Sequence, residues 1–295
     1  MFDKIIGNEE IQELLEQTIR NKRASHSYLF VVTEGIGKKQ IAKEFAKALL
    51  CLEENKYCGK CKSCIEFDDN NNPDFILIEP EENSIKIDQI REIQRKVVEK
   101  PIISKQKVYI IDNSDKMTTE AQNGLLKTLE EPPEYITIIL IGSNENSFLS
   151  TIKSRCTILR FKDIKQEEIE KYLEENGIYF KDKRILKACS GSIGKALKVK
   201  DKQDEYENIH EFIENIGQKD IIEIFQKAEF IYNSKDEIKD ILQYINILLL
   251  ELAKENYKYA ECVEIVEDTK KRLQSNANYD MTIDNMLMKM KEKIR

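Results

Sequence analysis

The chain has 295 residues, 41% hydrophobic and 34% charged, with 47 basic against 54 acidic side chains and a formal net charge of −7. That length suggests about two domains of ~150 residues each, and the acidic balance argues against coating nucleic acid by bulk charge, while leaving room for a local basic face. Ten glycines and five prolines are too few for a collagen-like, β-rich or low-complexity chain, so a helix-rich soluble globular protein is expected.

The start, Met1-Phe2-Asp3-Lys4, lacks the basic-then-apolar pattern of a signal peptide. Asn8 is expected to cap a helix with Ile11, Leu14, Leu15 and Ile19 on one face. Ser27 to Val32 reads as a buried strand and Lys39 to Leu50 as a helix burying Ile41, Ala42, Phe45, Ala46, Leu49 and Leu50. Phe75 to Ile78 is a second strand, and Asp88 is expected to cap a helix carrying Ile90, Ile93 and Val97. Val108 to Ile111 is a third strand, Ala121 to Leu129 a helix, Thr137 to Ile141 a fourth strand and Ile158 to Phe161 a short fifth. Alternating strands and helices, with near-continuous β-branched strands, predict a parallel sheet covered on both faces. Ligands of such sheets sit at the carboxyl ends of the strands. From Lys165 onward the pattern is helical, with boundaries expected near 165 and in the polar stretch around 203. The most apolar stretches, Ile136 to Gly142 and Ile245 to Leu252, fall far short of the ~20 residues of a membrane span. A cytoplasmic location with reduced thiols is therefore expected.

Residues 32–39, Val-Thr-Glu-Gly-Ile-Gly-Lys-Lys, stand between the first strand and its helix, the context of a phosphate-cradling P-loop. Against the pattern G-x-x-x-x-G-K-[ST], Gly37 and Lys38 match, and Gly35 lies within the same loop. Val32 replaces the first glycine, and Lys39 replaces the hydroxyl residue that would ligate Mg²⁺ and brings a second positive charge near the metal's place. Alone, this stretch reads equally well as an ordinary strand-to-helix turn. Four apolar residues ending in Asp112 resemble a Walker B strand end, whose carboxylate helps hold Mg²⁺. Asn113 follows where a hydrolysing enzyme has glutamate, and it cannot act as a base. Asp115 reads as a turn or cap, and Ser143-Asn144 ends the next strand where a polar side chain could sense a γ-phosphate.

Cys51, Cys58, Cys61 and Cys64 bring four thiols within 14 residues, with Gly59 allowing a tight turn between Cys58 and Cys61 and Lys56, Lys60 and Lys62 offsetting negative charge. Four thiolates make a closed, tetrahedral structural Zn²⁺ site. Free thiols, disulfides and an iron–sulfur cluster are the alternatives; the only histidines, His26 and His210, are remote, which disfavours catalytic zinc. Cys189 and Cys262 read as small core residues and Cys156 as packed rather than reactive. The acidic stretch from Glu66 to Glu82 reads as a solvated loop around the second strand, with no role assigned.

Leu125-Leu126-Lys127-Thr128-Leu129-Glu130-Glu131-Pro132-Pro133 and Ser154-Arg155-Cys156, in order after Asp112, resemble the bacterial clamp-loader AAA+ proteins of DNA polymerase III. Gly7, residues 26–30 and Asn276-Ala277-Asn278 add support; the resemblance is strong over residues 1–200 and weak beyond. It implies a RecA-like AAA+ sheet with a zinc insert at about 51–64 in residues 1–165, a helical lid in 166–203 and an all-α oligomerisation collar in 204–295. The motor subunits of that family have an intact loop, an Asp-Glu pair and a lid sensor arginine. Here Gly194 falls at that arginine's position, beside Lys195. Losses at Val32, Lys39, Asn113 and Gly194 imply a non-hydrolysing subunit whose Gly35, Gly37, Lys38 and Asp112 mark a degenerate nucleotide site. Lys38 and the loop amides leave phosphate binding without hydrolysis open. The resemblance further implies that Arg155 is an arginine finger acting on a neighbouring ATPase, although Arg155 could instead pair with a nearby carboxylate and fix the rim. Implied partners are gamma/tau motor subunits, a delta subunit and, through the assembly, the sliding clamp and primer-template DNA. An active motor-type ATPase and a zinc-containing nucleic-acid-binding module are the competing readings.

Overall fold

A computed structural model of the chain describes residues 1–2, 5–31, 38–53, 57–275 and 277–294. The chain forms two compact units, Met1–Lys165 and Gln166–Arg295. Among the described residues no helix is long and apolar enough to cross a membrane.

The first unit runs α1 (Glu9–Arg20), β1 (Ser27–Val31), α2 (Lys38–Leu50), α3 (Lys62–Asp68), β2 (Phe75–Ile78), α4 (Ile87–Val97), β3 (Lys107–Ile111), α5 (Thr119–Glu130), β4 (Ile136–Gly142), α6 (Ser150–Lys153) and β5 (Thr157–Arg160). The strands form a parallel sheet in the order β2-β3-β4-β1-β5. The central strands are buried on both faces, so they read as unbroken apolar runs rather than alternating ones. On one face Leu29, Tyr109, Ile111, Ile138 and Leu140 pack with Ile90, Ile93 and Val97 of α4 and Ala121, Leu125 and Leu129 of α5. Alternate residues point the other way; there Tyr28 meets Phe45 of α2 edge-to-face at 5.2 Å, and Phe30 meets Phe161 at the same separation. Because β1 lies between β4 and β5, the chain leaves it in one direction and returns on its other side. Glu79, Asp112 and Ser143 follow β2, β3 and β4 at the carboxyl-end rim, the rim where ligands of such sheets bind.

Two expected caps are corrected. Asn8 precedes α1 with φ 60° and makes no side-chain cap. Its amide instead donates to Lys162 O at 2.9 Å and accepts from Lys162 N–H at 2.6 Å, tying the start of the unit to the chain leaving β5. Asp88 lies inside the first turn of α4, whose cap is Lys86, and pairs with Arg91 at 2.8 Å. Its carboxylate still favours the positive helix end.

The second unit is helical: α7 (Gln166–Glu175), α8 (Lys183–Ala188), α9 (Ile193–Val199), α10 (Gln203–Glu214), α11 (Ile221–Lys227), α12 (Glu229–Asn233), α13 (Ile238–Leu252), α14 (Lys258–Gln274) and α15 (Tyr279–Ile294). α11 and α12 are separated at Ala228, and a 3₁₀ turn at Lys235–Glu237 precedes α13, which ends at Leu252. α13 is the spine, burying Ile241, Leu242, Tyr244, Ile245, Leu248 and Leu249. Tyr244 packs edge-to-face on Tyr206 at 4.9 Å and donates to Asp182 at 2.7 Å.

Asp74, fully buried before β2, accepts backbone N–H groups from Ile102, Ile103 and Ser104 at 2.7–2.8 Å. Replacing a carboxylate that satisfies three buried donors leaves them unpaired. Asp74→Ala is expected to lower stability by about 3 kcal/mol, read as a shifted urea midpoint, with Asp69→Ala, exposed nearby, as the neutral comparison.

Candidate functional site

Val32, Gly35 and Gly37 lie outside the described residues. The following helix is described from Lys38, its first residue. Lys39 is one position further on, and its ammonium lies 2.5 Å from Glu79 Oε1 and 3.3 Å from Asp112 Oδ2. Partial burial disfavours the Lys39 charge, but hydrogen bonding to Glu79 and the Asp112 charge outweigh it and hold its pKa above the ordinary lysine value. The second Asp112 oxygen accepts Asn113 N–H at 2.9 Å, so both carboxylate oxygens are engaged. Asn113 itself has φ 48°, a left-handed turn that asparagine tolerates. Sequence reasoning assigned Glu79 no role. It lies 40 residues from Lys39, and only the β2–β3 pairing brings it beside Asp112.

Ser143 donates to Asp115 Oδ2 at 2.8 Å, within a 3₁₀ turn at Ser114–Lys116, and Asn144 caps the next turn through Asn146 N–H. Both candidate sensor side chains thus have intrachain partners. In the second unit Lys195 sits on α9 and pairs with Asp240 at 2.5 Å.

Arg155 follows α6. Its guanidinium bonds Glu130 Oε1 at 2.6 Å, Thr151 O at 2.9 Å and Ser154 Oγ at 3.2 Å, and its side chain stays 32% exposed. Its backbone carbonyl accepts the Ser27 hydroxyl at 2.5 Å, which anchors the residue to the head of β1. Glu130 belongs to the Leu-Leu-Lys-Thr-Leu-Glu-Glu-Pro-Pro run, so the two most telling motifs meet in one ion pair.

The four clustered cysteines converge: their sulfurs all lie within 4.8 Å of one another. Cys51 Sγ is 3.5 Å from Cys58 Sγ and 4.0 Å from Cys61 Sγ. A tetrahedron with metal–sulfur bonds of ~2.3 Å has edges of about 3.8 Å, so the donor set suits a four-thiolate metal centre. Gly59, with φ +68°, makes the turn between Cys58 and Cys61. Lys47, on α2, holds Asp68 of α3 at 2.5 Å and lies over the Tyr57 ring, fastening the insert to the sheet domain. Ser63 and Ser104 bond at 2.9 Å, and Asn72 donates to Ser63. The stretch from 66 to 82 is therefore corrected from an idle solvated loop: Asp68, Asp74 and Glu79 each hold a specific partner. Cys189 and Cys262 are buried, and burial pushes the Cys156 thiol up to about 11, in keeping with packed, unreactive roles.

A parallel sheet in this order, with a Walker B-type carboxylate at its rim, defines an AAA+-type module. Residues 7–165, more than half of the chain, match the family model described as DNA polymerase III, delta subunit, and the chain belongs to that family of bacterial clamp-loader subunits. It is 34% identical over 209 residues to a DNA polymerase III subunit tau/gamma of Haemophilus influenzae, covering 68% of this chain and 30% of that protein. It is equally 34% identical over 197 residues to the delta′ subunit of Bacillus subtilis, covering 66% and 60% respectively. The chain thus spans less than two thirds of the length of both relatives. A DNA polymerase III gamma subunit-related protein of Thermotoga maritima shares the fold, with a TM-score of 0.54, 21% identity and coverage of 95% of this chain and 99% of that one.

The thiols are not equivalent. The Lys60 N–H, helped by other sulfur hydrogen bonds, pulls Cys58 down to about 6, while burial raises Cys64 and Cys51. In metal-free protein at pH 7, iodoacetamide is expected to alkylate Cys58 more than tenfold faster than Cys64. That rate should fall as pH drops through 6 and the thiolate is protonated. One equivalent of Zn²⁺ should protect all four thiols, as peptide mass spectrometry would show.

Proposed function

We propose that this chain is a non-hydrolysing, delta′-like subunit of the bacterial sliding-clamp loader, which presents Arg155 to the ATP site of a neighbouring motor subunit. The observation that carries this reading is the occupation of the strand-end carboxylates by the chain's own Lys39, beside an Asn113 that cannot act as a base. Equal identity to a tau/gamma and a delta′ relative does not separate motor from stator. The residues at the rim weigh against the motor-type reading. The acidic balance weighs against a nucleic-acid-binding module acting by charge alone.

Arg155 is suited to acting in trans. A surface ion pair such as Arg155–Glu130 contributes only ~0–1 kcal/mol, so the guanidinium can exchange Glu130 for a phosphate oxygen at little cost. The Ser27 bond to its carbonyl fixes the backbone from which the side chain reaches. Cys51, Cys58, Cys61 and Cys64 would hold Zn²⁺, which supplies a structural cross-link rather than chemistry. Gly35, Gly37, Lys38 and Asp112 mark the vestige of a nucleotide site. We assign residues 166–203 to a lid and 204–295 to a collar. Lys195–Asp240 and Tyr244–Asp182 bridge that division within one compact unit. Partners on this reading are gamma/tau-type motors, a delta subunit and, through the assembly, the clamp and primer-template DNA, in the cytoplasm.

The test is a reconstituted complex in which only the adjoining motor site is active. Arg155→Ala is expected to leave assembly intact and lower ATP turnover at that site by ~10³-fold or more. Arg155→Lys should rescue poorly, because an ammonium lacks the planar fork that grips phosphate oxygens. Turnover at the unmutated rate would remove the trans role.

A further inference from the structure

The fold family implies a divalent cation at the strand ends, and the residues present do not suit one. Mg²⁺ and Mn²⁺ need carboxylate oxygens with free lone pairs, at close to 2.1 Å for Mg²⁺ in near-octahedral geometry. Here the cation position beside Asp112 is already filled by a positive charge: Oδ2 faces the Lys39 ammonium at 3.3 Å, while Oδ1 accepts Asn113 N–H at 2.9 Å. Glu79 Oε1 lies against that same ammonium at 2.5 Å. The backbone holds the two carboxylates together independently of the lysine. β2 pairs with β3 through Ile78 and Ile111, Asp112 N–H donates to Ile78 O at 2.9 Å, and Gln89 of α4 donates to Glu79 O at 2.9 Å. The carboxylates are therefore placed side by side by the sheet, and their mutual repulsion is relieved by a cation that is part of the chain.

We propose that the Lys39 ammonium is a built-in replacement for a divalent metal ion, so that the Glu79–Asp112 pair excludes divalent cations and becomes a divalent-cation site once Lys39 is removed. An ammonium neutralises one charge and donates hydrogen bonds, but it has no vacant coordination position and cannot bridge phosphate oxygens as a metal does. The inference rests on the non-hydrolysing reading only for its biological meaning, because divalent binding by the isolated chain involves neither Arg155 nor a partner.

The test uses the full, zinc-loaded chain without nucleotide, with Mn²⁺ as the probe and the electron paramagnetic resonance signal of the free ion as readout. Lys39→Met is expected to bind Mn²⁺ at least tenfold more tightly than the unaltered chain. Adding Asp112→Asn to Lys39→Met should return affinity to the unaltered level. Should Lys39→Met fail to fold, Lys39→Thr serves the same comparison. Equal Mn²⁺ affinity with and without Lys39 would overturn the proposal, as would gained binding that survives Asp112→Asn. Loss of the trans effect of Arg155 would leave these outcomes unchanged, so the two readings fail separately.

Discussion

A parallel sheet buried on both faces brings every strand's carboxyl end to one rim, and the rest of this molecule's chemistry follows from what stands there. Strand order places β2 beside β3, so Glu79 and Asp112 become neighbours although their sequence positions are far apart. Two carboxylates so close must be neutralised. In a hydrolysing site of this type a metal ion does so and also serves the reaction. In this chain a lysine two positions past the P-loop-like glycine satisfies the charge, and Asn113 occupies one Asp112 oxygen through its backbone N–H.

The same economy appears elsewhere in the first unit. The Arg155–Glu130 pair joins α5 to the segment after α6 near the surface, where it is weak enough to be exchanged. Contacts that must not be exchanged are buried instead. Asp74 accepts three N–H groups with no exposure, and Lys47, almost fully buried, holds the cysteine-bearing insert through Asp68. Buried charged groups are retained only when paired or hydrogen-bonded, and both of these are.

Much of this was legible in the sequence. The apolar runs located all five strands, the central ones because burial on both faces makes them continuous β-branched stretches and the edge strands β2 and β5 as short apolar stretches beside them, and the Cys-x6-Cys-x2-Cys-x2-Cys spacing anticipated a convergence that depends on local chain geometry. The roles of Asp68, Asp74 and Glu79 were not legible. Each sits in an acidic stretch that looks solvated, and its partner is reached only through strand pairing, helix packing or loop packing distant in sequence. Asn8 and Asp88 misled for a related reason: both are good capping residues by type, but Asn8 is drawn to Lys162 by the chain leaving β5, and the main chain starts α4 one residue before Asp88.

The central claim is that Lys39 and Asn113 leave the rim unable to hydrolyse nucleotide. Steady-state ATP hydrolysis by the isolated, zinc-loaded chain in the presence of Mg²⁺ tests it most directly. Turnover indistinguishable from buffer, and unchanged by Lys38→Ala, is the predicted result. Turnover near the ~10 s⁻¹ typical of enzymes, lost on Lys38→Ala, would contradict it and make this chain a motor.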